Sequence, residues 1–357
     1  MAFIKLYKDR LIHNYEFLDN IFVENNISWA IVTKLLCGSK SYLKEVINLG
    51  IKEVCDARIS NLKLIKSLNP NIDTVYIKPP ARRSISNVVR YADASFNTEF
   101  QTIKWLSEEA VRQNKKHKVI IMIELGDLRE GVMGDHLLEF YASVFQLPNI
   151  KVTGIGANFN CLYGVMPSED KLIQLSLYKQ LIEAKFSREI PWVTGGTSVV
   201  LPLVFRKQIP AGVNHFRLGE TLFFGNDLFT DEPIPGMLQD VFKLYAEIIE
   251  ISEKPVIPIG FLDTNPSGES FQIQEEDYGR RSYRAILDLG LLDISTTEFL
   301  IPEDENLKIT GASSDMLVVD LGDSSPSYKV GDLMSFKLKY MGALRLFNSN
   351  YIEKQVV

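Results

Sequence analysis

Apolar and polar positions alternate along this chain in two regimes, and the change between them falls near residue 231. In the first regime, short apolar runs rich in β-branched and aromatic residues recur at 29–34, 53–57, 73–79, 94–97, 118–125, 151–159, 192–197 and 215–218. Each is short enough for a buried strand and is bounded by turn-forming residues. Between them the spacing becomes helical. Leu11, Ile12, Tyr15, Leu18, Ile21 and Phe22 fall on one helix face behind an expected Asp9 cap, and comparable patterns cover Thr98–Lys115, capped by Asn97 or Thr98, and Ser168–Phe186. Eight strands alternating with helices predict a (β/α)8 TIM barrel, because the count closes and the length fits.

Beyond Asp231-Glu-Pro-Ile-Pro-Gly236 the pattern predicts strands instead, at Val241–Ile251, Tyr283–Leu289, Leu307–Gly311, Leu317–Leu321 and Leu333–Tyr340. Turns are expected at Asn265–Gly268, Pro302–Asn306 and Asp323–Pro326, and the acidic stretch Gln274–Asp277 reads as a solvated turn. The expected organisation is a ligand-binding barrel over 8–230, followed by a mostly β domain over 236–357. Residues 1–7 form a lone strand free to join that second domain.

The bulk numbers narrow the function. At 357 residues with 46% hydrophobic content the chain can bury a large core, and a net charge of −6 argues against nucleic acid or an anionic membrane as partner. No run approaches 18 apolar residues, and Phe3–Asp9 does not read as a signal peptide, so a cytoplasmic protein acting on a small molecule is expected. Cys37, Cys55 and Cys161 show no metal-ligand spacing and suit reduced thiols. The four histidines, His13, His117, His136 and His215, are scattered and read as surface or helix residues.

Four segments sit where strands should end, the edge at which a parallel α/β barrel builds its site. Thr33-Lys34 closes the first run, where desolvation among Ile31, Val32, Leu35 and Leu36 would favour a free amine able to form a Schiff base. Glu124-Leu-Gly-Asp-Leu-Arg129-Glu-Gly131 follows the fifth run. Gly195-Gly196-Thr197-Ser198 follows the seventh, and Arg217-Leu-Gly219-Glu220 ends the eighth. The last two fall where TIM barrels build their usual phosphate site from backbone N–H groups and hydroxyls.

This ordered set resembles the alanine racemase-type (fold type III) pyridoxal-phosphate enzymes, above all their alanine/ornithine racemase branch, and the similarity runs over nearly the whole chain. The resemblance implies a cytoplasmic, homodimeric amino-acid racemase, interconverting L- and D-alanine, ornithine or a similar amino acid, with pyridoxal 5'-phosphate as cofactor. It implies that Lys34 carries the cofactor and moves the Cα proton, and that Arg129 lies beside the cofactor. Gly196, Thr197, Ser198 and Gly219 would lie at the phosphate, Arg217 would face the pyridine nitrogen, and Glu220 would complete the cofactor-binding set. Gly311-Ala-Ser-Ser314-Asp315 and Tyr340–Tyr351 match two second-domain signatures of these enzymes.

Three departures bear on mechanism. Phe261 stands where a partner-subunit tyrosine is expected to transfer the second proton, and Met316 where the ornithine-type branch would have histidine. Gly38 replaces a tyrosine expected near the phosphate. The second acid/base then falls to Tyr351 first, followed by Asp315, Tyr278 and Asp263. Alternatives on the same scaffold are an aldolase or decarboxylase, which needs one base, and a non-catalytic pyridoxal-phosphate-binding protein.

Overall fold

The computed structural model describes residues 2–264, 270–323 and 327–357. The expected turn at 265–268 lies outside these residues, as does most of the one at 323–326. The chain divides into two compact units, one formed by Tyr7–Val241 and the other by the N-terminal strand with Phe242–Val357.

The first unit is a closed barrel of eight parallel strands. In order they are Ser28–Val32, Glu53–Asp56, Asp73–Tyr76, Ala94–Asn97, His117–Met122, Ile150–Gly156, Trp192–Thr194 and His215–Leu218. We number them as barrel strands one to eight. Strand eight closes against strand one in parallel register, with Ala30 opposite Arg217. All eight predicted runs are strands, with ends trimmed where loops carry the apolar pattern onward. Side chains alternate between the two faces of each strand. Ala30, Cys55, Val75, Ala94, Phe96, Ile120 and Met122 form one buried cluster, joined by Val32, Ile77 and Trp192.

Helix starts differ in detail from expectation. The first helix, Lys8–Glu24, is capped at Tyr7, so Asp9 lies inside its first turn, where a carboxylate still favours the helix dipole. Helix Phe100–Arg112 is capped by Glu99, whose carboxylate accepts from the Thr102 N–H, rather than by Asn97 or Thr98. Asn14 of the first helix is fully buried, and its amide donates to the carbonyls of Leu222 and Leu238 and accepts from the Leu238 N–H. That contact ties the segment after strand eight to the barrel's outer layer.

The second unit is a mostly antiparallel sheet ordered Leu300–Pro302, Leu333–Leu338, Phe242–Pro255, Arg281–Leu287, Leu317–Gly322 and Lys308–Ala312. Phe3–Leu6 pairs antiparallel with Phe242–Pro255 and parallel with Glu353–Val356. The sequence pattern missed strands Leu300–Pro302 and Glu353–Val356 and read through the start of a helix, Tyr340–Asn348. That helix buries Gly342, Ala343, Leu346 and Phe347 at helical spacing, and strand-like residues before it hid the switch of period.

Ile120 is fully buried in the barrel interior. Ile120→Ala is expected to cost about 2–5 kcal/mol through lost transfer energy and a residual cavity, read as an earlier barrel transition in chemical denaturation.

Candidate active site

Strand one ends at Val32, and the chain turns at once into a 3-10 segment, Lys34–Leu36. That turn lifts Lys34 off the strand end, so its side chain is exposed at the barrel mouth rather than desolvated as the sequence suggested. What is buried is its neighbour. Thr33 is fully enclosed; its N–H donates to the Cys55 carbonyl and its hydroxyl to Asp56 at 2.8 Å. Asp56 also accepts from the Arg58 N–H and from Asn61. Burial raises the Asp56 carboxyl above its ordinary value despite these donors. Asn61 in turn backs Gly38, which has φ +78°, and any Cβ there would stand 2.7 Å from the Asn61 side-chain oxygen. A tyrosine at this position would collide, which is the local reason for glycine.

Strands seven and eight deliver the other half. Gly196 adopts φ +130°, a region that favours glycine, and its carbonyl accepts from the Arg217 N–H. The buried Ser198 hydroxyl accepts from the N–H groups of Gly219 and Thr221, each at 3.4 Å. A Cβ at Gly219 would lie 3.1 Å from the Val32 carbonyl oxygen. The glycine therefore lets the loop after strand eight close onto the end of strand one, two residues from Lys34. Backbone amides, hydroxyls and close-packed glycines in one loop cluster suit an anion.

Arg217 is 1% exposed and points into the barrel, with its guanidinium 4.9 Å from the centre of the Phe96 ring. It donates to the Ala157 carbonyl at 3.0 Å, to the Asn158 side-chain oxygen at 2.7 Å and to the Thr194 hydroxyl. Among the described residues it pairs directly with no carboxylate. Burial pulls its pKa down to about 10, with Cys55, Cys161, Glu53 and Glu130 opposing that shift. Asn158 also donates to Glu130, which forms a two-pronged ion pair with Arg129. The two predicted arginines are thus joined through Glu130 and Asn158. A loop over the mouth is fixed by Asp127, whose carboxylate accepts from the N–H groups of Cys161, Leu162, Tyr163 and Val165.

The structure brings together Lys34, Gly196, Thr197, Ser198, Arg217, Gly219 and Glu220. It attaches Arg129 through the chain just described. Tyr351, Asp315, Tyr278 and Asp263 belong to the other unit, and all four are exposed. Sequence reasoning missed Asn158, Thr194 and Asp56. It also misplaced two histidines. His117 and His215 are buried strand residues, 2% exposed each, rather than surface or helix positions. For His215 a signal existed, since two-residue alternation in a strand sets it on the same face as Arg217.

The parallel barrel, with a lysine after strand one and a glycine-serine cluster after strands seven and eight, defines a TIM-barrel protein whose candidate site lies at the C-terminal ends of its strands. Residues 6–227 match the model of the alanine racemase N-terminal domain. The chain is 37% identical over 98% of its length, and 98% of the relative's, to an ornithine racemase of Acetoanaerobium sticklandii. It is 30% identical to a lysine racemase of Thermotoga maritima, covering 90% of this chain and 89% of that one. In fold it resembles an alanine racemase from Bartonella henselae solved with covalently bound pyridoxal phosphate, at 15% identity and a TM-score of 0.74, covering 100% of this chain and 99% of that one. The chain belongs to the alanine racemase family.

Glu220, half-buried beside Lys34, has its carboxyl raised from 4.5 to about 7, chiefly by burial, with Lys34 opposing and Asp231 adding to the rise. Between those two values the folded state holds more protons at this site than the unfolded state, so its contribution to stability falls as pH rises from about 4.5 to 7. Glu220→Gln is expected to lack that loss. The melting temperature of the apoprotein variant, relative to the parent, should climb steadily from pH 5 to about 7.5.

Proposed function

We propose that this chain, a pyridoxal-phosphate-dependent amino-acid racemase, acts on an amino acid with a distal amine, ornithine before lysine. The 37% identity to an ornithine racemase across nearly the full length of both chains carries this reading. The barrel's own residues fit the cofactor. Arg217 is a buried cation with no directly paired carboxylate, and the Gly196–Ser198 and Gly219 backbone approaches closely enough to hold a phosphate. The ligand-binding unit in this reading is the barrel, 8–230, and the β-rich C-terminal domain comprises 236–357 together with strand 1–7.

When bound, pyridoxal phosphate supplies an electrophilic carbon for amines and a sink for the electron pair left when the Cα proton departs. Lys34 is the anchoring amine and, once released, takes the proton from one face of Cα or returns it there. Exposure at the mouth gives it the reach to exchange partners. Arg217 would face the cofactor's pyridine nitrogen as a donor and, being cationic, would oppose its protonation, which favours return of the proton to Cα over deeper electron withdrawal. The Ser198 hydroxyl and the Gly219 and Thr221 amides, which cluster at 3.4 Å, would hold the phosphate. Arg129, steadied by Glu130, receives the substrate carboxylate.

The test is a chiral panel of ornithine, lysine and alanine with purified protein and added cofactor. Inversion without change of mass, fastest on ornithine, is expected; release of carbon dioxide or an aldehyde would overturn racemisation. Lys34→Ala should lower turnover at least about 10³-fold while the fold persists, and borohydride reduction followed by peptide mass spectrometry should find the pyridoxyl group on Lys34 alone.

We further propose a homodimer in which the β unit of one protomer supplies the second acid/base, Tyr351 or Asp315, to the other's barrel, acting in the cytoplasm. Support comes from exposed apolar groups on each unit, taken separately: Leu128, Met133, Leu162 and Tyr163 at the barrel mouth, and Ile259 (91%), Phe261 (96%), Phe271 and Ile273 in the β unit. The thiols of Cys37, Cys55 and Cys161 suit a reducing compartment. No described helix is long and apolar enough to cross a membrane. Mixing Lys34→Ala protomers with protomers inactive through Asp315→Ala or Tyr351→Phe should restore up to about a quarter of the parent activity once subunits exchange, because some mixed dimers hold one intact site. A fully active monomer would contradict this arrangement.

A further inference from the structure

Beneath Arg217 the barrel core holds a polar column that no step above uses. Glu53 opens strand two, His215 opens strand eight and Thr194 closes strand seven, and all three are at least nine-tenths buried. Strand one runs between strands two and eight and presents the small residues Ser28, beside His215, and Ala30, beside Arg217, which leaves room for Glu53 and His215 to meet across it. Their side chains lie 3.1 Å apart, Nε2 to Oε1. His215 Nδ1 lies 2.9 Å from the Thr194 hydroxyl oxygen, which also receives an N–H of Arg217. The Trp192 ring stacks on the imidazole at 5.1 Å and 8°, fixing its plane.

The protons in this column can be assigned from its geometry. Thr194 already accepts from Arg217, and among the described residues the acceptor within reach of its own hydrogen is His215 Nδ1. His215 then carries its proton on Nε2 and donates it to Glu53. The donors run in one direction, from Arg217 to Thr194 to His215 to the Glu53 carboxylate.

We propose that Thr194, His215 and Glu53 are positioning residues for Arg217: they supply its counter-charge through two intervening hydrogen bonds and hold one edge of its guanidinium, leaving other N–H groups for the cofactor's ring nitrogen. This rests on the racemase reading of the site. A carboxylate in direct contact would neutralise the cation and occupy the donors the ring needs, whereas a bare buried guanidinium would be costly to keep charged. The other titratable groups facing Arg217 are Cys55 of strand two, Glu130 after strand five and Cys161 after strand six. Glu53 stands with them in opposing the downward pull of burial.

The test uses the holoenzyme with Glu53→Gln, which keeps shape and an acceptor but removes the charge, and with Thr194→Val and Thr194→Ser. In parent protein labelled with ¹⁵N-histidine, NMR should show His215 as the neutral Nε2–H tautomer, and Thr194→Val should disturb that pattern. Thr194→Val and Glu53→Gln should lower kcat about tenfold or more with substrate KM within about twofold, and Thr194→Ser should recover most of the loss. In Glu53→Gln the alkaline change in the bound cofactor's visible spectrum should move down by about half a pH unit or more. An Nδ1–H tautomer in the parent would overturn the assignment. Variants that melt earlier yet keep the parent kcat and spectral titration would show the column to be packing alone. If Thr194→Val does not fold, Glu53→Gln decides by the same criteria. A parent protein without racemase activity would refute the racemase reading, while the tautomer would still report on the column.

Discussion

The constraint on which the barrel depends is a guanidinium in its interior. Arg217 occupies the place of a core side chain, and each group around it answers the cost of burying a charge away from a direct counter-ion. Phe96 offers a ring face, Ala157 a carbonyl, and Asn158 and Thr194 oxygen atoms. Small residues follow from the same need. Ala30 on the neighbouring strand leaves room, and a Cβ at Gly156 would lie 2.3 Å from the Thr194 methyl group. Strand packing and the electrostatics of a buried charge are therefore one problem in this half of the barrel.

The mouth is organised by buried acids that accept backbone N–H groups. Asp127 gathers four amides of the loop after strand six; burial opposes ionisation, yet those amides hold its carboxyl below the ordinary value. Asp56 does related work under Lys34, fixing Thr33 and Asn61, and through Asn61 the glycine that follows. A carboxylate receiving several amides holds its loop in one geometry without covering the site. Lys34 can stay exposed because the residue before it is locked.

The two units divide the surface chemistry differently. In the barrel, exposed apolar residues lie on outer helices, such as Ile12, Ile173 and Leu177, as well as on loops of the mouth, at Leu128, Met133, Leu162 and Tyr163. In the β unit they concentrate on the segment between its two longest strands, where Phe261 stands at 96% exposure. The phenyl ring of Phe261 carries no group that can transfer a proton.

The alternation of strand and helix periods by itself determined the eight-stranded barrel, because burial on a closed sheet forces short apolar runs at regular intervals, and all eight became strands. The ordered glycines, the lysine and the two arginines likewise marked the barrel's functional face, since close backbone approach and anion binding demand those residue types at strand ends. Other features were decided by contacts between residues far apart in the chain. Glu53 and His215 meet across 162 positions of sequence, and Asn158 reaches Arg217 across 59. No local pattern marks such partners, because a buried polar side chain is selected by what the fold brings opposite it. The exposure of Lys34 and the glycine at 38 were settled in the same way, by a 3-10 turn and by Asn61 behind it, and both exist only once the barrel has closed.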